Sequence, residues 1–280
     1  ARNVAEALVG PSCFHASEMS HHLGDVAGQR VAVIGGGQSG AEIVQCLLER
    51  DVEGPSAVRW ISRRPNFRPL DDSPFTNELF TPDYVERFHA LPEQRRRSGV
   101  TRDKLAGDGI SPATLAAIYR RLYALRHLTP EPLDTALLPH REVLSLAGDG
   151  GSYRLVMRNG FDGQIEIAHA DIVVLATGYV AALPECLAPI ADRFARDGEG
   201  GLRLAADFAV QWSGPERNRI FALNAGLVSH GIAEPQLSLM AWRSAVIANA
   251  LLRRLHFDIA VPPPVVSWTA GNTRPHVAQM

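Results

Sequence analysis

The chain has 280 residues, 46% of them hydrophobic, and a formal net charge of −2. It can bury one large core or two smaller ones, and its charge gives no support for a general nucleic-acid or anionic-membrane role. No apolar run reaches the roughly 18–20 residues that span a bilayer.

Residues 1–22 read as a connector that opens in mid-pattern, and further residues are expected before Ala1. Arg30-Val31-Ala32-Val33-Ile34 is a short apolar strand of the kind found inside a parallel sheet. A glycine-rich turn, Gly35-Gly36-Gly37-Gln38-Ser39-Gly40, leads to an amphipathic helix over 41–50 and a second strand over 57–62. This is a βαβ unit. Residues 63–91 are irregular and rich in Pro, Asp, Asn and aromatics, and the charged stretch 93–109 reads as a mobile surface loop. Within it, Arg95, Arg96 and Arg97 read as a solvated run.

The spacing predicts a helix over 112–128, with Leu115, Ile118, Tyr119, Leu122 and Leu125 on one face. Antiparallel strands are expected over 142–147, 153–158 and 164–168, and a buried strand over 171–175 that ends in Ala176-Thr177-Gly178-Tyr179. A further strand over 219–224, a long helix over 237–255 and an extended, proline-containing tail complete the chain. The implied domains are the connector, a nucleotide-binding domain over 23–170 with an insertion at 63–130, a second domain over 171–260, and a tail over 261–280.

The turn carries the clearest chemistry. In Gly35-x-Gly37-x-x-Gly40 the first glycine permits the tight turn, the second lets a pyrophosphate approach the backbone, and the third lets helix and strand pack closely. The helix N-terminus offers unpaired N–H groups and partial positive charge to phosphate. An NAD site usually ends its second strand in a carboxylate that binds the ribose 2′-hydroxyl. Here that strand ends Ile61-Ser62-Arg63-Arg64. A guanidinium grips a 2′-phosphate through charge-assisted hydrogen bonds, which points to NADPH.

Three other segments stand out. Pro69 and Pro74 bracket Asp71, Asp72 and Ser73, with Asn77 following. This stretch reads equally as a functional loop and as local Asx-turn chemistry. Gly178 permits backbone approach to a cofactor where the chain leaves the sheet. His230, within Ser229-His230-Gly231, reads as catalytic or as a histidine hydrogen-bonded in a turn, with the turn preferred. The three cysteines, Cys13, Cys46 and Cys186, match no metal or redox spacing and read as reduced thiols of a cytoplasmic protein. No metal is expected.

Taken together, residues 35–42, 71–80, 176–179 and 230–239 resemble, in order, the flavin-dependent N-hydroxylating monooxygenases of siderophore biosynthesis. These are the lysine N6-, ornithine N5- and diamine N-hydroxylases. Asp207-Phe208, Trp212-Ser213-Gly214-Pro215 and residues 239–244 look more like the lysine branch. The resemblance implies an α/β fold, with a Rossmann-like NADPH-binding domain and the C-terminal part of a Rossmann-like FAD-binding domain. It also implies a homo-oligomer. NADPH would reduce FAD, the flavin would take up O2 as a C4a-hydroperoxide, and a neutral primary amine would accept the oxygen. Free lysine has a pKa of about 10.4, so the site must favour the deprotonated amine.

The glycine motif assigns Gly35, Gly37 and Gly40 to the nucleotide site, and by the same resemblance Gln38, Ser39 and Arg63 contact the nicotinamide nucleotide, Arg63 at the 2′-phosphate. Gly178 and Tyr179 lie near the nucleotide. Asn77 contacts the amino-acid substrate, and Leu237 and Ser238 lie beside flavin and substrate. No catalytic residue is assigned.

The family's glycine-rich FAD turn and a basic substrate-holding residue are expected before Ala1. The chain alone is therefore expected to bind FAD weakly or not at all, without turnover. Asp108-Gly109-Ile110-Ser111 stands where ornithine hydroxylases carry an Asn-containing nucleotide contact, and no role is assigned there. Alternatives are N-hydroxylation of putrescine, cadaverine or ornithine, another flavin reductase, or a non-catalytic NADPH-binding module.

Overall fold

The computed structural model describes residues 9–50, 53–130, 132–149, 151–179, 182–261 and 264–270. In chain order its strands are β1 (Cys13–His15), β2 (Arg30–Ile34), β3 (Ala57–Ile61), β4 (Asp134–Leu138), β5 (Arg141–Asp149), β6 (Ser152–Asn159), β7 (Ile165–Ala170) and β8 (Ile172–Leu175). The main helices are α1 (Gln38–Glu49), α2 (Pro82–His89), α3 (Glu93–Arg102), α4 (Pro112–His127) and α5 (Met240–Leu252). The chain divides into two compact units, Ala1–Leu70 with Asp108–Tyr179, and Asp71–Gly107 with Val180–Met280.

The first unit has three layers. Its centre is a parallel sheet in the order β1-β8-β2-β3-β4. Alternate side chains of these strands point to opposite faces. On one face Val31, Val33, Val58, Trp60 and Val174 pack against Ala41, Ile43, Val44, Leu47 and Leu48 of α1 and Ile118 of α4. On the other, Ala32, Ile34, Ile61, Val173 and Leu175 pack against Val143, Leu146, Leu155 and Met157 of the antiparallel sheet β5-β6-β7. Covered on both sides, β2 beyond Arg30 and β8 carry no polar face, which is why Val31–Ile34 and Ile172–Leu175 read as unbroken apolar runs.

Several expectations are corrected here. Ile172–Leu175 does not open the next domain. It lies between β1 and β2 in the first sheet, and Cys13–His15 of the expected connector is the sheet's edge strand. The stretch 63–130 is not one insertion: residues 71–107 belong to the second unit, whereas α4 packs in the first. Tyr119 is 74% exposed and does not share the buried face of Leu115, Ile118, Leu122 and Leu125. β4 (Asp134–Leu138) adds an edge strand beside β3 that periodicity does not predict.

In the second unit the charged stretch 93–109 is helical over Glu93–Arg102 and Lys104–Ala106 instead of a loop. Glu93 pairs with Arg97 one turn on at 2.9 Å, Arg97 also reaches Glu199 at 2.9 Å, and Gly99 lies where a Cβ would meet the Phe88 ring at 2.8 Å. Ion pairs and one close packing contact replace the apolar stripe that periodicity looks for. The strand expected over 219–224 is a single bridge, Ala209 to Phe221. The long helix begins as a 3-10 turn, Leu237–Leu239, and ends at Leu252, where Arg253 takes a left-handed conformation (φ 51°). Of the expected connector and tail, residues 1–8, 262–263 and 271–280 lie outside the described residues.

Candidate functional site

In open α/β sheets, ligands bind outside the carboxyl ends of the strands. The turn 35–40 leaves the carboxyl end of β2 and enters α1. Its glycines have different reasons. A Cβ on Gly35 (φ +145°) would sit 2.0 Å from the Ala176 carbonyl oxygen at the exit of β8, and one on Gly40 would sit 2.3 Å from the Gly35 oxygen. One on Gly36 would sit 2.1 Å from Ser62 Oγ. A Cβ on Gly37 would meet nothing within 4 Å. Three glycines thus let the protein pack on itself, while Gly37 faces open space, as the approach of a ligand to the backbone requires.

Gly37 caps α1 with extended backbone and no side-chain hydrogen bond, and the first helical bond runs from Ala41 N–H to the Gly37 oxygen. Among the described residues the N–H groups of Gln38, Ser39 and Gly40 find no backbone partner, as at any free helix N-terminus. Ser39 is exposed. Gln38 is engaged within the protein: its Oε1 accepts from the Ser111 N–H at 2.8 Å and its Nε2 donates to Glu42 at 2.8 Å.

The two arginines after β3 differ. Arg63 is exposed, and no hydrogen-bond or ion-pair partner is found for its guanidinium among the described residues. Arg64 is held by Asp108, through the carboxylate at 2.7 Å and the carbonyl oxygen at 2.8 Å. Gly178 (φ +75°) has open space at its Cβ position, and Tyr179 is exposed with its ring edge-on to His15 at 4.8 Å. Turn, Arg63 and the β8 exit all belong to the first unit.

Asn77, Leu237 and Ser238 belong to the second unit, and all three are exposed. Asn77 ends the single helical turn Pro74–Asn77, which Ser73 caps by accepting from the Thr76 N–H at 3.3 Å. Asp71 accepts from Thr76 Oγ1 at 2.8 Å. Asp71 and Ser73 therefore perform the local turn chemistry, leaving the Asn77 amide presented to solvent. His230 is buried, stacks on Phe208 at 4.2 Å and shares a 2.8 Å hydrogen bond with Ser229 Oγ. Burial first, then the neighbouring His89, pushes its pKa down to about 3. This is a neutral histidine of the core, matching the turn reading.

Sequence reasoning missed Glu234 and Arg243, a buried pair at 3.8 Å. Glu234 accepts the Asn224 and Gly226 N–H groups, and burial raises its pKa despite those bonds. Charged residues inside an apolar stretch were the available signal. Among the described residues no helix is long and apolar enough to cross a membrane.

The layered first unit and its glycine turn define an α/β protein of the Rossmann type. A family model, L-lysine 6-monooxygenase/L-ornithine 5-monooxygenase, matches residues 3–181, and the chain belongs to that family. It is 41% identical over 261 residues to the L-lysine N6-monooxygenase of Escherichia coli, covering 93% of this chain and 61% of the relative. It is 28% identical over 239 residues to a putrescine N-hydroxylase of Acinetobacter baumannii, covering 85% and 52%. Among solved structures, the FAD-bound cadaverine monooxygenase of desferrioxamine biosynthesis from Erwinia amylovora matches with a TM-score of 0.86 at 25% identity, over 96% of this chain and 62% of that one. The L-lysine 6-monooxygenase of Pseudomonas syringae matches with a TM-score of 0.77 at 29% identity, over 90% and 61%. The chain spans between half and two thirds of the length of these relatives.

Proposed function

We propose that this protein serves NADPH- and FAD-dependent N-hydroxylation of a primary amine, the side-chain amine of L-lysine, in hydroxamate siderophore biosynthesis. The observation that carries the reading is the 41% identity to the E. coli lysine enzyme across 93% of the chain. A cytoplasmic, homo-oligomeric enzyme is part of the same proposal.

The geometry supports a nucleotide at the turn. The open face of Gly37 and the N–H groups of residues 38–40, uncapped among the described residues, suit a pyrophosphate, and Arg63, unpaired among the same residues, suits a 2′-phosphate. Gly178 and Tyr179 border the nucleotide in this reading. Asn77 hydrogen-bonds the amino-acid substrate, and Leu237 and Ser238 line flavin and substrate. When bound, the two cofactors supply a hydride and activate O2 for transfer to nitrogen. The chain's own residues bind and orient these groups, and the site keeps the substrate amine neutral by limiting its contact with water.

The test is NADPH oxidation and hydroxylamine formation, by protein that carries the residues expected before Ala1, with FAD and L-lysine, cadaverine, putrescine or L-ornithine. Hydroxylamine from lysine is expected. Product from a diamine or ornithine but not from lysine would move the substrate. Oxidation with no hydroxylamine would replace the reading with a flavin reductase, and NADPH binding by protein that takes no flavin would favour a binding module.

A further inference from the structure

Arg63 and Arg64 are adjacent in sequence but have opposite surroundings. Arg64 runs from the end of β3 across the glycine turn: its Cδ lies 3.8 Å from where a Gly36 Cβ would be. Its N–H donates to Ser62 Oγ at 3.1 Å, and its guanidinium ends on Asp108. Asp108 begins a short segment held at the lip of the turn. Gly109 packs so closely on Leu70 that a Cβ would lie 2.3 Å from the Leu70 Cα. Ile110 is fully buried and exchanges backbone hydrogen bonds with Arg68 and Leu70, and the Ser111 N–H is taken by Gln38. The carboxylate of Asp108 is thus fixed beside a turn that otherwise offers positive potential.

We propose that Asp108 is a specificity-determining residue of the nucleotide site. By neutralising Arg64 it leaves, among the described residues, Arg63 as the uncompensated guanidinium at the end of β3, and it holds affinity for a 2′-phosphate below what two free arginines would produce. This rests on the reading of the turn as an NADP(H) site. Released from Asp108, the Arg64 guanidinium, one residue on from Arg63, adds its charge on the 2′-phosphate side and so acts on NADP+ far more than on NAD+, because the two differ by that phosphate.

The experiment measures the Kd of NADP+ and of NAD+ by calorimetry for the purified wild type, Asp108→Asn, and Asp108→Asn with Arg64→Ala. Asn keeps the shape and can still accept from Arg64, so only the charge is removed. We expect Asp108→Asn to tighten NADP+ by about three- to fivefold and to leave NAD+ within about twofold. The gain shrinks as salt rises and vanishes in the double variant. Should Asp108→Asn fail to fold, Asp108→Ser is measured in its place. Equal effects on the two nucleotides, or weaker binding of both, would reduce the pair to a structural clamp and overturn the proposal. Failure of the wild type to bind either nucleotide would overturn the nucleotide reading itself, and this inference with it.

Discussion

Trp60 Nε1 donates to the Gly35 carbonyl oxygen at 2.8 Å, tying the middle layer of the first unit to the opening residue of the glycine turn. The indole is 1% exposed and stacks on Phe67 with ring centroids 3.7 Å apart. Its nitrogen also sits 3.4 Å from where a Gly40 Cβ would be. One side chain therefore sets both ends of the turn. Trp60→Phe removes the donor and leaves a partly buried carbonyl without it, which should cost about 1 kcal/mol of stability by urea unfolding. NADPH affinity should fall with it, and wild-type affinity in a destabilised variant would show that the hydrogen bond does not shape the turn.

Gly37 and Gly40 should respond differently to the same methyl group. Gly40→Ala forces a Cβ to within 2.3 Å of the Gly35 oxygen and should lower stability by roughly 1–3 kcal/mol. Gly37→Ala meets no protein atom within 4 Å, so stability should hold while NADPH binding weakens at least about tenfold. Melting curves and nucleotide titrations on the two variants separate packing from ligand approach. Unchanged nucleotide affinity in Gly37→Ala would remove the pyrophosphate from the turn.

Arg63→Ala should raise the Kd for NADPH by about ten- to a hundredfold, the worth of one charge-assisted contact, and leave NADH unchanged. Because Arg63 has no ion-pair partner among the described residues, its loss should not alter the melting temperature. Equal weakening of both nucleotides would remove the 2′-phosphate from this position.

The second unit should lose stability in acid through two histidines. His89 and His230 lie 4.9 Å apart, and both pKa values are lowered from 6.5, first by burial. Arg96 adds to the shift of each, and Asp207 opposes it. The unfolded chain therefore takes up protons that the folded chain refuses. Stability is fully present above about pH 6.5 and falls as pH drops from there toward the His230 value of about 3. Urea midpoints measured between pH 8 and pH 5 should decline, and His230→Gln should flatten that decline. A wild-type profile without slope over this range would contradict the buried, neutral assignment.

Much of this protein is legible along the chain. The apolar run 31–34, the spaced glycines, the amphipathic helix and the arginine closing β3 lie within about 35 residues, so periodicity and turn chemistry suffice to read them. The antiparallel strands β5, β6 and β7 were legible for the same reason. The segment 93–109 was not, because α3 is held by ion pairs and by Gly99 against Phe88, and neither leaves an apolar period.

The sequence by itself determined the βαβ unit, its glycine turn and the absence of a carboxylate where an NAD site has one. These are local properties of neighbouring residues. Only the tertiary structure decided that β8 lies between β1 and β2, that Gly36 is required by Ser62, and that Arg64 is taken by Asp108 while Arg63 stays free of ion pairs among the described residues. Arg64 and Asp108 are 44 positions apart. Contacts at such separation depend on which strands pair and which loops meet, and that information is spread over the whole packed unit.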